Sequence, residues 1–322
     1  MNAAARFLPS GLVLVDKPSG CTSFDVVAQI KRLTRHLKIG HAGTLDPLAT
    51  GLLPVALGEA TKLLSYLSAT DKRYLATVAL GQATDTLDAA GREIERKPLP
   101  VLSDEQIVAA LDNFKGEIMQ VPPMYSAIHH QGRRLYELAR EGIDVERKTR
   151  KVRIGTIEMI ERGIDWIKLD IICSAGTYIR TLADEFARLL GTVGHLRELT
   201  RTEAAGYRLQ EAITLEKLTR STLADVIIPI EQVVSRFILI EVSAEYGVKL
   251  GHGQVLSNIE LVALGIQPTK PQVVCFRPVT KDLFVLARVD INDTGEVRMR
   301  ILRVLYPSRP PTGEKYGEKV LT

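Results

Sequence analysis

The stretch GHAGTLDPLATG, residues 40–51, decides our interpretation of both the fold and the site. It predicts a loop of small residues, about as long as an ordinary domain tolerates without a function. Asp46 lies in it directly before Pro47, a position where an aspartate usually only makes a turn. A functional role is favoured here because small residues let a substrate approach the backbone closely, and because His41 lies in the same loop. The loop therefore predicts a candidate site around Asp46.

A strand and a helix precede this loop. Residues 11–15, GLVLV, are typical of a short buried strand, and DKPSG at residues 16–20 marks the turn after it. Either Thr22 or Ser23 can cap the helix that follows. That helix has one apolar stripe at spacings of four, three and four, made of Val26, Ile30, Leu33 and Leu37.

Two basic surfaces predict contact with nucleic acid. One is the polar side of this helix, because no acidic residue occurs between Asp25 and Asp46. The other is residues 147–153, RKTRKVR, with five basic residues in seven. The net charge of the chain is only +4, so local patches must bind any nucleic acid. The basic residues of the helix are Lys31, Arg32, Arg35 and Lys38.

Composition limits the class of protein. The 322 residues predict two domains at about 150 residues per domain. The three cysteines, Cys21, Cys173 and Cys275, form no C-x-x-C pair, which is typical of a protein in a reducing cytosol. No apolar run approaches the ~18 residues of a membrane helix, and the first residues do not resemble a signal peptide. We expect a cytoplasmic protein without membrane contact.

Cofactor motifs are absent from the sequence. It contains neither G-x-x-x-x-G-K-[ST] nor a G-x-G-x-x-G after the first strand, so nucleotide cofactors have no support. The six histidines include no H-x-x-x-H, and we expect no metal site. Ser126 and Cys173 lack a flanking nucleophile motif and are expected to be structural.

A second candidate cluster is GTYIR, residues 176–180, at a predicted strand-to-helix turn. Ile179 continues the apolar stripe of that helix and should point to the core. Arg180 then lies at the helix start, where a positive charge is slightly unfavourable unless it meets an anion. Two interpretations stay open: an ordinary surface arginine, or a partner for a buried carboxylate or an RNA phosphate.

The mixed order of strands and helices predicts an α+β fold rather than a parallel βαβ array. A proline and polar residues between Ile228 and Arg236 indicate a domain boundary. Short strand-like runs beyond it predict a small β-rich domain.

Five motifs in order resemble the bacterial TruB-type tRNA pseudouridine synthases. Residues 40–51 resemble the catalytic loop of that family, and DKPSG at 16–20 its lysine–proline motif. DKRY at 71–74, with the following loop to Gly91, resembles the tyrosine motif. PPMYSA at 122–127 with GRRLYE at 132–137, and CSAGTYIRT at 173–181, complete the set. The resemblance covers roughly residues 11 to 205.

The resemblance implies an isomerase that breaks the N1–C1′ bond of a uridine, turns the base and joins C5 to C1′. The target is a uridine in the T arm of tRNA, position 55 of the family's substrate. The reaction needs no metal and no organic cofactor. The target base must first leave its stack, so base flipping is implied.

The resemblance also assigns residues. Asp46 would be the catalytic carboxylate, and attack on C1′, attack on the base and removal of the 2′ proton all stay open as its role. Arg180 and Lys17 would keep it ionised and oriented. Tyr74 would stack on the target uracil and help to deprotonate C5. The remaining substrate-binding residues are Tyr178 and Leu199, which would line the base pocket, and His41, which would fill the space left by the extruded nucleotide.

For the fold, the resemblance implies a catalytic domain at 1–235 built on a mixed, largely antiparallel sheet. Residues 236–322 would form a PUA-like RNA-binding domain, for which VSAEYGVKLGHGQ at 242–254 is the recognisable stretch.

Three functions compete. A stand-alone tRNA enzyme is preferred, acting as a monomer without a protein partner. A guide-RNA-dependent relative that acts on ribosomal RNA is less favoured, because the chain continues into only a small module without a lysine-rich tail. An RNA-binding folding chaperone of the tRNA elbow is the alternative of a different class.

Overall fold

The computed structural model describes residues 8–34, 37–126, 128–280 and 283–307. Arg35 of the basic helix face and Ala127 of the PPMYSA motif lie outside the described residues. Within them no helix has the length and apolar character of a membrane span. The strands are β1 Gly11–Lys17, β2 Ile39–His41, β3 Thr50–Leu57, β4 Lys72–Leu80, β5 Gln82–Thr84, β6 Glu93–Arg96, β7 Gly116–Gln120, β8 His129–His130, β9 Arg133–Arg134, β10 Arg150–Arg162, β11 Trp166–Cys173, β12 Gly194–Ala204, β13 Tyr207–Arg208, β14 Ile213–Thr214, β15 Ile228–Pro229, β16 Ile238–Val242, β17 Gln272–Pro278, β18 Phe284–Ile291 and β19 Val297–Leu305.

The helices form largely where apolar stripes predict them. Thr22 caps α1, since its hydroxyl accepts from the Asp25 amide at 3.1 Å while the Asp25 carboxylate accepts from the Thr22 amide at 2.8 Å. The α-helices are α1 Ser23–Thr34, α2 Leu64–Ser68, α3 Asp104–Asp112, α4 Leu135–Arg140, α5 Ile179–Leu189, α6 Arg220–Val226, α7 Ile230–Val234, α8 Ala244–Gly251 and α9 Asn258–Ala263.

One large sheet organises the molecule, in the order β14-β1-β3-β12-β4-β11-β10-β7, with β2, β13 and β15 pairing beside it. Its contacts are antiparallel except for β1–β14 and β3–β12, which are parallel. This confirms the predicted α+β fold on a mixed, largely antiparallel sheet.

The sheet is covered on both faces at β1. Alternate residues of β1 enter different cores: Val13 and Val15 pack with α1 and α5 residues, whereas Leu12 and Leu14 pack with residues of the C-terminal sheet. Because side chains alternate between the faces of a strand, burial on both sides requires the continuous apolar run GLVLV.

Register places the candidate loop at the middle of the sheet. β2 pairs antiparallel with β3, and residues 42–49 connect the two strands. β3 then meets β12 over only two pairs, Thr50 with Thr200 and Gly51 with Arg201. On its other edge β12 pairs with β4, where Arg201 faces Tyr74. The loop, β12 and β4 therefore converge at one place.

The C-terminal part forms its own four-stranded sheet in the order β16-β17-β18-β19, with α8 and α9 packed against it. Its other face contributes Phe284, Leu286 and Leu305 to a core shared with the large sheet. The predicted small β-rich part is confirmed, and the boundary after residue 235 stays a prediction.

One local feature differs from the sequence interpretation. The loop that follows Tyr74, up to Gly91, contains β5, which pairs with β6. α4 begins at Leu135, because Arg133 and Arg134 pair as β9 with β8.

Candidate active site

The loop at 42–49 is held from one side by the segment after β1. Lys17 is completely buried, and its Nζ donates to the carbonyl oxygens of Pro18 at 2.8 Å, Cys21 at 2.7 Å and Pro47 at 3.4 Å. The Gly20 amide also donates to the Pro47 carbonyl, at 2.8 Å. The backbone on the C-terminal side of Asp46 is thereby fixed.

Two further contacts hold the N-terminal half of the loop. The Ser23 hydroxyl accepts from the Leu45 amide at 2.8 Å. Arg201, completely buried in β12, donates from Nη2 to the Gly43 carbonyl at 3.0 Å and from Nε to the Leu52 carbonyl at 2.8 Å. Because both flanks of Asp46 are anchored, its carboxylate has a defined place.

Asp46 meets Arg180 across the cleft. The Arg180 Nη2 donates to Asp46 Oδ1 at 3.1 Å, and Nε forms an ion-pair contact with Oδ2 at 2.8 Å. Arg180 lies in the first turn of α5 and is only 4% exposed. Of the two interpretations left open for Arg180, the structure therefore shows the partner of a carboxylate, and that carboxylate is Asp46.

Arg180 is itself held by other groups. Its Nη2 donates to the Tyr125 carbonyl at 2.8 Å and Nη1 to the Thr86 carbonyl at 3.2 Å. Asp88, buried beside it, has Oδ2 at 3.8 Å from the Arg180 Nε. One arginine therefore joins the candidate loop, α5 and the loop after β5.

Burial raises the pKa of Asp46 above its ordinary value, and the nearby Asp88 carboxylate raises it further. The Arg180 guanidinium acts in the opposite direction and favours the ionised form. The Asp46 side chain keeps 34% of its surface exposed, toward the cleft. It is thus a carboxylate held between a fixed cation and an open cavity.

That cavity has a volume of about 310 Å³. Five of the seven predicted site residues line it: Asp46, Tyr74, Tyr178, Arg180 and Leu199. Its wall also includes groups that sequence reasoning did not assign to the site, among them Gly43, Lys72, Ser126, Ile179 and Arg201. A larger cavity of about 640 Å³, beside Tyr207 and Arg236, contains none of the predicted residues.

Burial raises the pKa of Tyr74 and of Tyr178. Both are protonated phenols near neutral pH, as an ordinary tyrosine already is. Tyr74 lies on β4 and is 7% exposed. Tyr178 is placed by Gln120, whose side chain accepts from the Tyr178 amide at 3.0 Å and donates to its carbonyl at 3.2 Å.

His41 and Lys17 do not line the cleft. His41 ends β2, and its buried Nδ1 has no hydrogen-bond partner in the described part of the chain. Burial lowers the pKa of His41, so the ring is neutral near pH 7. Lys17 binds the carbonyl oxygens of Pro18, Cys21 and Pro47 and forms no hydrogen bond with Asp46 in the described residues.

Asp88 and Arg201 were missed, although each belongs to the site. Asp88 lies in the motif that follows Tyr74, and that motif was the only signal available for it. Arg201 is an arginine in a strand, and only the pairing of β12 with β3 reveals its contact with the loop. Long-range register of this kind cannot be derived from one sequence.

Comparison with known proteins agrees with this geometry. The model of the TruB family pseudouridylate synthase N-terminal domain matches residues 31–179, and that of the tRNA pseudouridylate synthase B C-terminal domain matches residues 180–235. A tRNA pseudouridine synthase B of Haemophilus influenzae is 43% identical over 251 residues, which cover 76% of this chain and 80% of the relative. One of Chromohalobacter salexigens is 40% identical over 91% of this chain and 94% of the relative.

A chain in the crystal structure of a Cbf5–Nop10–Gar1 complex has a similar fold, with a TM-score of 0.69 and 25% identity over 93% of this chain and 86% of that chain. Fold, motif order and full-length relatives agree, and the chain belongs to the TruB family of pseudouridylate synthases, isomerases that convert uridine to pseudouridine.

Proposed function

We propose that this enzyme isomerises the uridine at position 55, in the T arm of tRNA, with Asp46 as its catalytic carboxylate. The observation that carries the assignment is the Asp46–Arg180 pair at the wall of an aromatic cleft. Relatives named tRNA pseudouridine synthase B support tRNA as the substrate.

The reaction needs a group that acts only when deprotonated, whichever of the three roles Asp46 takes. Arg180 favours the ionised carboxylate and fixes its direction. The N1–C1′ bond breaks, the base turns, C5 bonds to C1′, and the proton lost from C5 is balanced by one gained at N1. Product and substrate are isomers, so no redox partner is required.

The cleft is suited to a base removed from its stack. Tyr74, Tyr178 and Leu199 offer aromatic and apolar surface, on which a flipped uracil gains stacking energy. Extrusion costs a few kcal/mol, and such contacts offset that cost. In this proposal Tyr74 carries the stacked uracil, as the resemblance implies.

The RNA duplex would lie on the basic surfaces outside the cleft. Lys148, Arg150 and Lys151 are exposed at the start of β10, close in sequence to the exposed Arg133 and Arg134. Phosphate contacts of this type give affinity without sequence specificity. We further propose that the enzyme acts in the cytoplasm, as a monomer and without a protein partner.

The first test measures tritium release from a tRNA transcript labelled at uridine C5. Wild type should release one equivalent per tRNA, and a transcript with cytidine at position 55 should release none. Asp46→Asn should bind tRNA but release none. Asp112→Asn, at an exposed aspartate that pairs with Lys115 and does not line the cleft, is the matched control and should retain full activity.

Each result has a definite meaning. Turnover by Asp46→Asn would refute the role of Asp46, and release from the cytidine-55 transcript would refute the position. Tight binding by wild type without release would favour the elbow-binding chaperone, or an enzyme that requires a guide RNA.

A further inference from the structure

Lys72 is a buried ammonium in the cleft wall to which the reaction described above gives no role. It begins β4, is 7% exposed, and lines the same cavity as Tyr74 and Asp46. Its Nζ donates to the carbonyl oxygens of Ser68 at 2.8 Å and Thr70 at 2.7 Å. An ammonium has three N–H donors, so one donor is left for a ligand in the cleft.

A second cation lies beside it. A Cβ placed on Gly43 would lie 3.5 Å from both the Lys72 Cε and the Arg201 Nη1. Gly43 therefore presents bare backbone to a corner of the cleft that Lys72 and Arg201 border. The lack of a side chain at residue 43 leaves that corner open to a substrate.

The buried positive charges around the cleft outnumber the carboxylates that pair with them. Four buried cations surround it or its loop: Lys17, Lys72, Arg180 and Arg201. In the described part of the chain only Arg180 of these four forms ion pairs, with Asp46 and Asp88. Buried charges without a partner are costly and are usually neutralised by a ligand or an ion pair. The corner at Lys72 and Arg201 therefore favours an anionic ligand.

We propose that Lys72 binds a phosphodiester oxygen next to the target uridine, in the corner formed with Arg201 and Gly43, and so positions the extruded nucleotide over Asp46. The inference rests on the proposed function, because the phosphodiester belongs to the RNA substrate. Uracil is neutral, and the apolar wall of the cleft suits it better than two cations do. Each extruded nucleotide brings two phosphodiesters, and a lysine binds phosphate as a point charge.

The test is a double-mutant cycle between protein and RNA. A T-arm stem-loop is made with a neutral methylphosphonate in place of the phosphodiester on the 5′ or the 3′ side of the target uridine. Each RNA is assayed with wild type, Lys72→Met and Lys72→Arg, and pseudouridine formation gives kcat and KM separately. Lys97→Met, which removes an exposed lysine paired with Glu95, is the control.

With natural RNA, Lys72→Met should raise KM about tenfold to a hundredfold, the range for one charge-assisted hydrogen bond. Lys72→Arg should recover most of this loss, and Lys97→Met should show none. At one of the two linkages the methylphosphonate should raise the KM of wild type by a similar factor and leave the KM of Lys72→Met unchanged. Additive effects at both linkages would overturn the proposal.

A measurement on wild type alone gives a second test that does not depend on the folding of a variant. Burial lowers the pKa of Lys72 to about 8, so its charge is lost as the pH rises through that value. Arg201 from β12 and Cys173 from β11 face it, and burial raises the pKa of Cys173 to about 11. Asp71, which pairs with Arg153, and Tyr74, whose pKa is raised, complete the charged and titratable surroundings.

KM for natural RNA should therefore rise between pH 7 and 8.5, and this rise should be absent with the methylphosphonate at the contacted linkage. The same rise with both neutral linkages would exclude the contact. If wild type does not isomerise the natural stem-loop at any pH, the proposed function fails, which is a different result from loss of the Lys72 effect alone.

Discussion

Gly51 lies against the backbone of Arg201 so closely that no side chain fits between them. A Cβ on Gly51 would lie 2.4 Å from the Arg201 carbonyl oxygen and 2.9 Å from its amide nitrogen. The φ angle of Gly51 is +98°, a conformation that residues with a side chain rarely adopt. The glycine that ends the loop carrying Asp46 is therefore required by the parallel contact of β3 with β12.

Gly51→Ala should destabilise the fold by about 3 kcal/mol or more, because a positive φ and a backbone overlap both oppose it. Isomerase activity should fall with it, since Asp46 moves with the loop. Urea unfolding and tritium release measure the two effects. Gly191→Ala is the matched control, with φ +83° but no atom within 4 Å, and should cost only about 1–2 kcal/mol and retain activity. Equal losses of folding stability in the two variants would contradict a steric overlap between the Gly51→Ala side chain and the Arg201 backbone.

Asp88→Asn should move the acid limb of the kcat/KM profile to lower pH. A carboxyl with a raised pKa loses its proton at a higher pH, so the activity of wild type should decline at a higher pH than for an ordinary aspartate. The Asp88 carboxylate contributes to the raised pKa of Asp46 because the two groups carry like charges. The neutral amide of the Asp88→Asn variant removes that contribution. The rate itself should fall roughly ten- to a hundredfold, because Arg180 loses a partner. An unmoved limb would show that Asp88 does not act on Asp46.

Lys17→Met should loosen the loop without removing a group from the cleft. The carbonyl oxygens of Pro18 and Cys21 lose the Lys17 donor, and that of Pro47 keeps only the Gly20 amide. Each buried group left unsatisfied costs about 1–3 kcal/mol. Hydrogen exchange should accelerate at the Gly20 and Leu45 amides, which bond across this region. We expect kcat to fall while tRNA affinity stays within about threefold. Unchanged exchange with lost activity would instead indicate direct action of Lys17 on Asp46.

The contributions of the Tyr74 ring and of its hydroxyl can be measured separately. Tyr74→Leu should weaken binding of the RNA by about 1–3 kcal/mol, the value of one base stacked on an aromatic ring. Tyr74→Phe keeps the ring, so binding should be retained, while loss of the hydroxyl should slow tritium release from C5. Filter binding and single-turnover release distinguish the two. Full-rate release by Tyr74→Phe would give the hydroxyl no part in removing the C5 proton.

Local patterns predicted much of the fold correctly. Thr22, one of the two residues predicted to cap the first helix, accepts the hydrogen bond of the Asp25 amide and caps α1. The apolar stripe at Ile179 predicts the buried face of α5. These features depend on residues three or four positions apart, whose geometry one helix determines by itself.

The site was predictable where its ion-paired charges lie in recognisable motifs. It was less predictable where side chains hold the backbone of the loop. Asp46 and Arg180 are 134 residues apart, yet each stands out in its own motif. His41 lies in the most recognisable loop but ends a strand outside the cleft wall. The predicted roles of the seven site residues stay predictions.

The contacts of Arg201 also determine when the site can form during synthesis of the chain on the ribosome. The Thr44 carbonyl accepts a hydrogen bond from the Arg201 Nη1, and Arg201 lies 157 residues further along the chain. At roughly 5–20 residues per second, a ribosome needs about 8–30 seconds to synthesise that interval. Until then, the nascent chain lacks the arginine that anchors the loop from β12. The cleft beside Asp46 is therefore completed late, and an unfinished chain has no finished cavity in which to hold a uridine.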